Sequence, residues 1–560
     1  MKQELENSIT KTCRELFHQP VEVNLTRPDN QFGDYSTNIA LLLASRINQT
    51  SLSIADQLVK VLKESLAVTV SQIEIAGPGF INLRLRNEAL LMGLNQEPAK
   101  TRKRKVVVAE YSDPNPFKVL HVGHLYTTIV GDSIARLLEV TGATVHRLNY
   151  GGDVGLHVGK TMWAVIDNIG GEKPDALKNI PEADRLTWLS ERYVAGNLAY
   201  EENEQAKQAI TLCNKRVYEL YQNDDRNSPF AQIYWMCRDW SYRGFEKLYE
   251  ELQIVPFERF ISESEVVEPG LELVERGLAE GTLERSEGAV IFKAADGEDI
   301  HTRVFLNSEG LPTYEAKELG LTSLKWQEYN FDESIMITAN DIVAYMKVVL
   351  TVAAVFYPES VNRTKHLTHG MVRLPGGQKM SSRRGNVLEA RDILTAVDQA
   401  NRTVTGSYNR ESTLAAVKYG FLKHRLGGDI IYDPKELAAI EGNSGPYIQY
   451  AYARACSIIR KATQSTASLK VTADLQFQER SLLWKITEYK EVIDLAASEL
   501  APHHICNYLY ELAQVFNRFY EQNRVVGDER EATRLLLVKH YAETLQKGLG
   551  VLGITAPERL

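Results

Sequence analysis

The segment Ser112-Asp-Pro-Asn-Pro-Phe-Lys-Val-Leu-His-Val-Gly-His-Leu125 places two histidines around a glycine, where a buried strand is expected to meet a helix. The preceding Val106–Ala109 is a short β-branched run, and the residues after the segment repeat apolar side chains at helical spacing. His121 and His124 should then share one face of the first helical turn. Because a helix N-terminus attracts phosphate and Gly123 leaves room for an adenine ring, the segment predicts a nucleoside triphosphate site.

A second segment, Gly376-Gly-Gln-Lys-Met-Ser-Ser-Arg-Arg-Gly-Asn386, is bounded by glycines and predicts a mobile cationic loop. Lys379 and the adjacent arginine pair can place positive charge on phosphate, and Ser381 and Ser382 can donate hydrogen bonds. Lone histidines usually belong to structure, and basic runs are usually solvated. The two segments in this order are far more specific than either alone, and they predict a site that clamps a leaving pyrophosphate.

The His-Val-Gly-His tetrad and the Lys-Met-Ser-Ser loop resemble the two signatures of class I aminoacyl-tRNA synthetases. Four further segments resemble arginyl-tRNA synthetases and together run nearly end to end: Phe32–Ile39, Gly77–Asn82, Glu441–Tyr450 and Leu552–Arg559. The resemblance implies a ligase that activates L-arginine with ATP, forming AMP and pyrophosphate, and transfers it to tRNA(Arg) for translation. It also implies that Mg²⁺ accompanies the ATP and that activation requires bound tRNA.

The resemblance also implies site residues. Catalytic roles fall on Lys118, His121, His124 and Lys379, and ATP contacts on His121, Gly123, His124, Met371, Lys379, Met380, Ser381 and Ser382. Arginine contacts fall on Glu110, Asn115, Glu263, Tyr314 and Glu318, and tRNA contacts on Tyr447, Tyr450 and Arg454. The family's pattern adds no metal-ligating residue.

Within the arginine set, Glu110 and Asn115 match positions that hold the ammonium and carboxylate groups of the amino acid. The other three match positions that recognise the guanidinium, and the i, i+4 spacing of Tyr314 and Glu318 would put both on one helical face. The family usually has aspartate at the position of Glu318. It often has Gln or His in the region of Thr338–Ile342, where this chain offers no assignable substrate contact.

The mobile loop lacks the second lysine that many class I enzymes carry there. Many arginyl enzymes share this absence and have a lysine three residues before the histidine tetrad, which Lys118 matches. We therefore expect Lys118 and Lys379 to neutralise the triphosphate together.

The composition is that of an ordinary globular protein, with 560 residues, 44% hydrophobic and 24% charged. No apolar run approaches the roughly 20 residues that span a bilayer, and no targeting segment is visible, so we expect a cytoplasmic protein with no membrane association. Five scattered cysteines without C-x-x-C spacing indicate neither a disulfide framework nor a zinc site.

The patterning predicts an α/β protein of three domains. Residues 1–98 form an N-terminal α+β domain that, by the resemblance, contacts tRNA. Residues 99–398 form a Rossmann-type doubly wound catalytic domain, with a helical insertion at about 160–250 and strands at Val106–Glu110, Val145–Asn149, Ala289–Phe292 and Ile335–Thr338. Residues 399–560 form an all-α bundle that resembles an anticodon-binding domain.

A net charge of −9 argues against a nonspecific nucleic-acid binder, and we expect no DNA binding. Candidate RNA-binding patches are Thr101–Lys105, Lys418–Arg425 and Arg454–Lys461. Tyr447, Tyr450 and Arg454 follow a 3-then-4 spacing that suits stacking on single-stranded bases, although an aromatic stripe of this kind is more often core. Three other aromatic residues are expected to lie in the core: Phe516, Phe519 and Tyr520.

Three alternatives remain open at this stage. The chain could be a class I synthetase for another amino acid, because the residue at Glu318 departs from the family's pattern. A nucleotidylyltransferase could use the same tetrad but would not need a C-terminal helical module. A catalytically inactive tRNA-binding paralogue is disfavoured by the intact histidines and Lys379. We expect the chain to act as a monomer.

Overall fold

The structure is a computed structural model that describes residues 1–294, 300–373, 388–462 and 474–560. The first elements are α1 (Lys2–Phe17), β1 (Tyr35–Thr37), α2 (Ile39–Ala44), α3 (Ser51–Ser65), β2 (Val70–Ala76), β3 (Phe80–Leu85) and α4 (Asn87–Gly93). The three strands form an antiparallel sheet in the order β1-β3-β2. Thr50 is the N-cap of helix α3, and its hydroxyl accepts a hydrogen bond from the Ser53 amide. The helix buries Ile54 and Leu58, at i, i+4 spacing, against the sheet.

The catalytic region follows with β4 (Val106–Glu110), α5 (Val122–Val140), β5 (Thr144–Gly151), β6 (Arg259–Ser262), α10 (Val267–Glu280), α11 (Tyr314–Tyr329), β10 (Glu333–Ala339), α12 (Val343–Phe356), α13 (Pro358–Asn362) and β11 (Thr364–His369). The five strands named here form a parallel sheet in the order β11-β10-β4-β5-β6. The chain runs outward from β4 on one side and returns to its other side with β10. The carboxyl end of β4 is therefore the switch point where open α/β sheets bind ligands.

The predicted strand Ala289–Phe292 exists, but its place in the parallel sheet was wrong. It is β8, the middle strand of a separate antiparallel sheet with β7 (Glu284–Ser286) and β9 (Arg303–Leu306). A two-residue turn, Glu287-Gly288, joins β7 to β8, and both turn residues have positive φ angles of 50° and 82°. Such a turn reverses the chain at once, so this strand cannot join its neighbours in parallel.

Between β5 and β6 the chain forms a helical region with α6 (Leu156–Asn168), α7 (Arg185–Glu202), α8 (Glu204–Gln222) and α9 (Pro229–Glu251). Its buried side chains form a hydrophobic cluster separate from the main core. This cluster also includes Phe117, from the loop after β4. These helices lie where the sequence predicts an insertion, and they bring side chains to one edge of the sheet's carboxyl end.

The last region contains α14 (Ala390–Thr405), α15 (Arg410–Leu422), α16 (Pro434–Leu437), α17 (Gly445–Lys461), α18 (Phe477–Thr487), α19 (Tyr489–Glu499), α20 (His503–Gln522) and α21 (Glu531–Val551). Two short strands, β12 (Val372–Arg373) and β13 (Ile430–Ile431), pair in parallel. The predicted boundary at 398/399 falls within helix α14.

The N-terminal region docks on the helices α18 and α19 through buried ion pairs. The Arg480 guanidinium donates to both oxygens of Asp34, at 3.0 and 2.7 Å, and Arg27 pairs with Glu491 at 2.7 Å. Tyr35 donates its hydroxyl to the same Glu491 carboxylate at 2.6 Å. The Phe32–Ile39 segment therefore joins the two ends of the chain, a structural role that its resemblance alone did not indicate.

Within the described ranges, no helix combines the length and apolar character needed to cross a membrane.

Candidate functional site

The loop between β4 and α5 carries most of the predicted ATP and amino-acid residues at the switch point of the sheet. Glu110 is the last residue of β4, and Val122 begins α5. Three non-glycine residues of the loop have positive φ: Ser112 (78°), Asp113 (47°) and Phe117 (68°). Each such conformation costs about 1–3 kcal/mol, so the surrounding structure must hold the loop in a specific shape.

The two histidines cap helix α5. His121 is the N-cap residue, and its Nδ1 accepts a hydrogen bond from the Gly123 amide at 3.1 Å. The His124 Nδ1 accepts from the His121 amide at 3.3 Å, and the two rings stack with centroids 3.8 Å apart. The prediction that both imidazoles lie together at the helix start is confirmed, although His121 precedes the first turn rather than belonging to it.

Both histidines are electrically neutral in this environment. Burial and the Lys118 charge lower the pKa of His121 to about 4, and burial lowers the pKa of His124 well below its usual range. A neutral imidazole holds one proton, and in each ring Nδ1 already accepts a backbone hydrogen bond. The proton must then lie on Nε2, so both rings present an N–H donor on the side away from the helix backbone.

Lys118 lies beside this pair and faces the insertion. Its ammonium sits 4.4 Å from the centroid of the Tyr193 ring on α7, a cation–π arrangement. The Lys118 charge also acts on the pKa of His121, His157 and Glu263. Lys118 therefore lies close to the histidines and to Glu263, a position from which its charge can reach an anion bound at the histidines.

Two of the predicted arginine-binding carboxylates form buried ion pairs with lysines. Glu110 is 3% exposed, and its Oε2 accepts from the Lys325 ammonium at 2.5 Å. Glu263 is 4% exposed, and its Oε2 accepts from Lys317. Both lysines come from α11, and the sequence analysis missed them. Pairing offsets the cost of burying each carboxylate and leaves its Oε1 free of these lysines.

Glu318 differs from those two carboxylates. Among the described residues, none donates a hydrogen bond to its carboxyl or forms an ion pair with it. Burial and the neighbouring Glu110 charge raise the pKa of Glu318 to about 8. One helical turn earlier, Tyr314 is 50% exposed and its ring centroid lies 4.6 Å from the Lys317 ammonium. Glu318 is therefore a carboxyl that an incoming cation would stabilise in its ionised form.

Asn115 holds the loop that follows β5 in place. Its Oδ1 accepts from the Gly152 amide at 2.8 Å, while the Gly152 carbonyl lies 2.7 Å from the His157 Nε2. A Cβ on Gly152 would lie 2.6 Å from the Asn115 Oδ1 and 2.9 Å from the Glu263 Oε1. Only glycine fits between these groups, so Gly152 sets the approach of Asn115 to Glu263.

Two acidic residues near the site were not singled out from the sequence. Asp113 accepts the Tyr150 amide at 2.8 Å, and burial raises its pKa well above the usual range. Asp341, in the Thr338–Ile342 region where no contact could be assigned, acts on the pKa of His121 and His369. Spacing could not have given these roles, because the Asp113 contact comes from strand β5 and Asp341 reaches the histidines from beyond β10.

Of the ATP-binding residues predicted after β11, the structure describes Met371. Met371 follows β11, and its amide donates to the Asp429 Oδ1 at 2.8 Å. Four predicted residues lie outside the described residues: Lys379, Met380, Ser381 and Ser382.

A second candidate site is a groove of 1270 Å³ between α17, α20 and the segment after α21. Its lining includes the basic side chains Arg454, Arg460, Lys461, Arg524 and Arg559. Tyr450 is 49% exposed in this groove, with the Arg454 guanidinium 5.3 Å from its ring centroid. The aromatic and cationic surfaces are thus both open to a ligand.

Tyr447 is held differently from Tyr450. Its hydroxyl accepts from the Asn517 amide nitrogen at 2.8 Å, and its ring packs edge-on against Tyr510 at 5.7 Å. Tyr447 is therefore half-buried in the bundle. Phe516 and Phe519 are buried as predicted, whereas the prediction for Tyr520 was wrong because this side chain is exposed and lines the groove.

The three basic segments proposed for RNA lie in different surroundings. Arg102 pairs with Glu333 and Lys105 with Asp332, at the amino end of the sheet. Lys418 is fully buried and donates to the Gly553 carbonyl at 2.5 Å. The third segment, Arg454–Lys461, lines the groove. Composition could not separate these cases, because it does not report which side chains line a groove and which are buried or paired elsewhere.

Three family models match successive parts of this chain. A family model described as "tRNA synthetases class I (R), catalytic domain" matches residues 87–420. Models described as "Arginyl tRNA synthetase N terminal domain" and "DALR anticodon binding domain" match residues 1–85 and 448–560. The fold and the histidine cap, taken with these matches, define a class I aminoacyl-tRNA synthetase.

Two curated relatives narrow this class. The arginine–tRNA ligase of Synechococcus sp. is 32% identical over 97% of this chain and 95% of its own length. That of Bdellovibrio bacteriovorus is 29% identical over 95% of this chain and 93% of its own. The chain belongs to the arginyl-tRNA synthetase family. The solved arginyl-tRNA synthetase of Thermus thermophilus, 24% identical and covering 100% of both chains, has the same fold with a TM-score of 0.80.

Proposed function

We propose how this chain carries out its family's reaction, in which arginine is activated with ATP and transferred to tRNA. The observation that carries the proposal is the partly exposed Glu318 carboxyl, which forms no ion pair among the described residues and lies beside two carboxylates already paired with lysines. A guanidinium is the planar cation that suits such a carboxyl. A lysine side chain would offer only a point charge.

In this proposal the arginine guanidinium binds Glu318, the free Oε1 of Glu263 and the Tyr314 hydroxyl. The α-ammonium group binds the Oε1 of Glu110, and Asn115 orients the α-carboxylate. Lys317 and Lys325 pair with two of these carboxylates and hold them in place. The pocket then offers one uncompensated acidic site for one substrate side-chain charge, which favours arginine over neutral amino acids of similar length.

ATP would lie along the N-terminus of α5, with the adenine ring over Gly123. The arginine carboxylate attacks the α-phosphorus, a new C–O–P linkage forms, and the bond to pyrophosphate breaks. His121 and His124 donate from Nε2 to the phosphate oxygens, and Lys118 and Lys379 neutralise the charge that develops on them. The loop residues Met380, Ser381 and Ser382 and the backbone near Met371 complete the ATP contacts in this assignment.

Magnesium would enter with the ATP in this proposal. Across the described residues, no group of three or more His, Cys, Asp or Glu side chains is arranged to hold a metal ion. Protein carboxylates here serve the amino acid, so the phosphates themselves would supply most of the ligands for Mg²⁺.

The groove between α17 and α20 would take single-stranded bases of tRNA(Arg). Exposed Tyr450 and Tyr520 supply stacking surfaces, and Arg454 and its basic neighbours supply phosphate contacts. The half-buried Tyr447 would support the groove wall rather than stack freely. A requirement for tRNA in the first step, a monomeric state, an absence of DNA binding and a cytoplasmic location stay predictions.

The test is a panel of amino acids assayed with tRNA(Arg), together with ATP–pyrophosphate exchange in the presence and absence of that tRNA. We expect charging with arginine, and exchange only when tRNA is present. Robust charging with another amino acid and none with arginine would overturn the pocket assignment. Exchange that proceeds fully without tRNA would overturn the tRNA requirement and leave the pocket assignment intact.

A further inference from the structure

The segment after helix α21, Leu552–Leu560, contacts elements of both candidate sites. At its start it lies on helix α5, whose N-terminus carries the two histidines. At its end, Glu558, Arg559 and Leu560 line the basic groove. Asp132 on α5 lies eleven residues beyond His121, which is about 16 Å along the helix at 1.5 Å per residue.

The contact with α5 is tight and polar. Asp132 is buried, and its Oδ2 would lie 2.8 Å from a Cβ on Gly553, a glycine with a positive φ of 67°. The Lys418 ammonium, which is 1% exposed, donates to the Gly553 carbonyl at 2.5 Å. The next residue of α5, Ser133, donates to the carbonyl of Val551, the last residue of α21, at 3.2 Å. The segment therefore cannot shift here without disturbing α5 or leaving the buried Lys418 ammonium without its hydrogen-bond acceptor.

The middle of the segment is fastened to two further elements. The Thr555 hydroxyl donates to the Gln253 side chain at 2.9 Å, and the Gln253 carbonyl in turn accepts from Arg136 of α5 at 3.3 Å. The Thr555 carbonyl accepts from Gln449 at 2.8 Å. Gln449 is fully buried and is the neighbour of Tyr450 on α17.

In the groove itself the segment presents an acid to a base. The Arg460 guanidinium donates to the Glu558 carbonyl at 3.1 Å and lies 4.0 Å from the Glu558 carboxylate. An RNA phosphate entering the groove would pair with Arg460 and repel this carboxylate. The repulsion acts on a segment whose other end is clamped to α5.

We propose that Leu552–Leu560 couples filling of the groove by single-stranded RNA to the position of α5, and that Lys418 is the positioning residue that holds the segment on α5. Lys418 touches neither ATP nor arginine in the proposed assignment, so it acts through the helix that presents His121 and His124. This inference rests on the proposed assignment of the groove to tRNA.

Two variants test the coupling at different points. Lys418→Met keeps length and removes the donor to Gly553, and Thr555→Val keeps shape and removes the donor to Gln253. Thr403→Val is the matched control, because the Thr403 hydroxyl is exposed on α14 and bonds only the Gln399 carbonyl of its own helix. Since the buried Lys418→Met variant could lose stability, each protein is first checked by thermal melting, and the exposed Thr555→Val variant keeps the test open.

For each folded variant, ATP–pyrophosphate exchange is measured against tRNA concentration, tRNA affinity by fluorescence, and binding of a non-hydrolysable ATP analogue without tRNA by calorimetry. We expect the tRNA-stimulated rate to fall by about fivefold or more, the low end of typical coupling factors, with tRNA affinity and tRNA-free analogue binding unchanged. The control should match the parent protein.

Unchanged stimulation in folded Thr555→Val would overturn the proposal, and so would an equal loss of tRNA-free analogue binding, since that reports a purely structural role. A separate Tyr450→Ala variant tests the groove. If that variant binds tRNA as tightly as the parent, the groove assignment fails, whatever the coupling variants show.

Discussion

The pocket at the end of β4 and the groove beside α17 both bind by charge in our proposal, yet they are built in opposite ways. The pocket buries its charges and pairs Glu110 and Glu263 with lysines, because an isolated charge in a low-dielectric interior is costly. The groove leaves Lys461, Arg524 and Arg559 exposed at the surface, where water solvates a charge. The pocket is therefore suited to selecting one small ligand, and the groove to attracting a large polyanion.

The largest expected effect comes from the pocket. Glu318→Gln removes the proposed partner of the guanidinium while keeping its size, and should weaken arginine binding by about 2–5 kcal/mol, the usual cost of truncating a buried charge pair. Glu318→Asp, which restores the residue usual in the family, should retain most of the affinity. Equilibrium binding of arginine measures both. Equal affinity in the Gln variant and the parent would assign the guanidinium to another residue.

Catalysis at the histidine cap should show the next effect. Lys118→Ala should lower kcat for activation by about 10²-fold or more, because one preorganised charge near the phosphates is lost. Arginine affinity should change less, and Lys118→Arg should recover part of the rate. Pre-steady-state measurement of adenylate formation checks this. A near-normal kcat in the alanine variant would make Lys118 a structural residue that packs on Tyr193.

Arginine binding should depend on pH through Glu318, whose pKa is raised to about 8. A proton competes with the guanidinium below that pH, so affinity should rise by up to about tenfold per pH unit and level off above it. The folded state also holds this proton while the unfolded state has lost it, so the Glu318 contribution to stability falls as pH rises towards 8. Glu318→Gln should therefore show a flatter affinity profile, and its melting temperature should gain more over the parent at pH 8 than at pH 6.

The groove aromatics separate binding from packing. Tyr450→Ala should weaken tRNA binding by about 1–3 kcal/mol, the range for base stacking, with little change in melting temperature. Tyr447→Ala should instead cost about 2 kcal/mol or more of stability, because its ring and hydroxyl are packed against Tyr510 and Asn517. Melting curves and tRNA affinities for both variants decide this. The reverse pattern would exchange the two roles.

The smallest effect should come from a single surface charge of the groove. Lys461→Gln should reduce the slope of log affinity against log salt by about 0.7, as expected for one lost phosphate contact to a single strand. Arginine affinity should not change. Lys365→Gln serves as the control, because Lys365 lies at the start of β11 and does not line the groove. Titrations with tRNA at several salt concentrations measure both variants. An unchanged slope for Lys461→Gln would place that lysine outside the RNA contact.

Much of the site was predictable because its local geometry follows from the sequence. The β4–α5 junction, the glycine between two histidines and the i, i+4 pair on α11 are short-range features, and the structure forms each of them. The strand at Ala289–Phe292 was predictable as a strand but not as part of a separate sheet. Strand propensity does not determine which edge a strand pairs with, whereas the turn at Glu287-Gly288 does.

By itself, the sequence determined the family, the histidine cap and the candidate carboxylates, since these depend on residue type at fixed spacing. Only the tertiary structure decided that Lys317 and Lys325 occupy two of those carboxylates and that Glu318 stands apart. It likewise decided that Lys418 is buried and donates to Gly553 while Lys461 is exposed in the groove. The physical reason is that the energy of a charge depends on burial and on partners far away in the chain, and neither is encoded in local spacing.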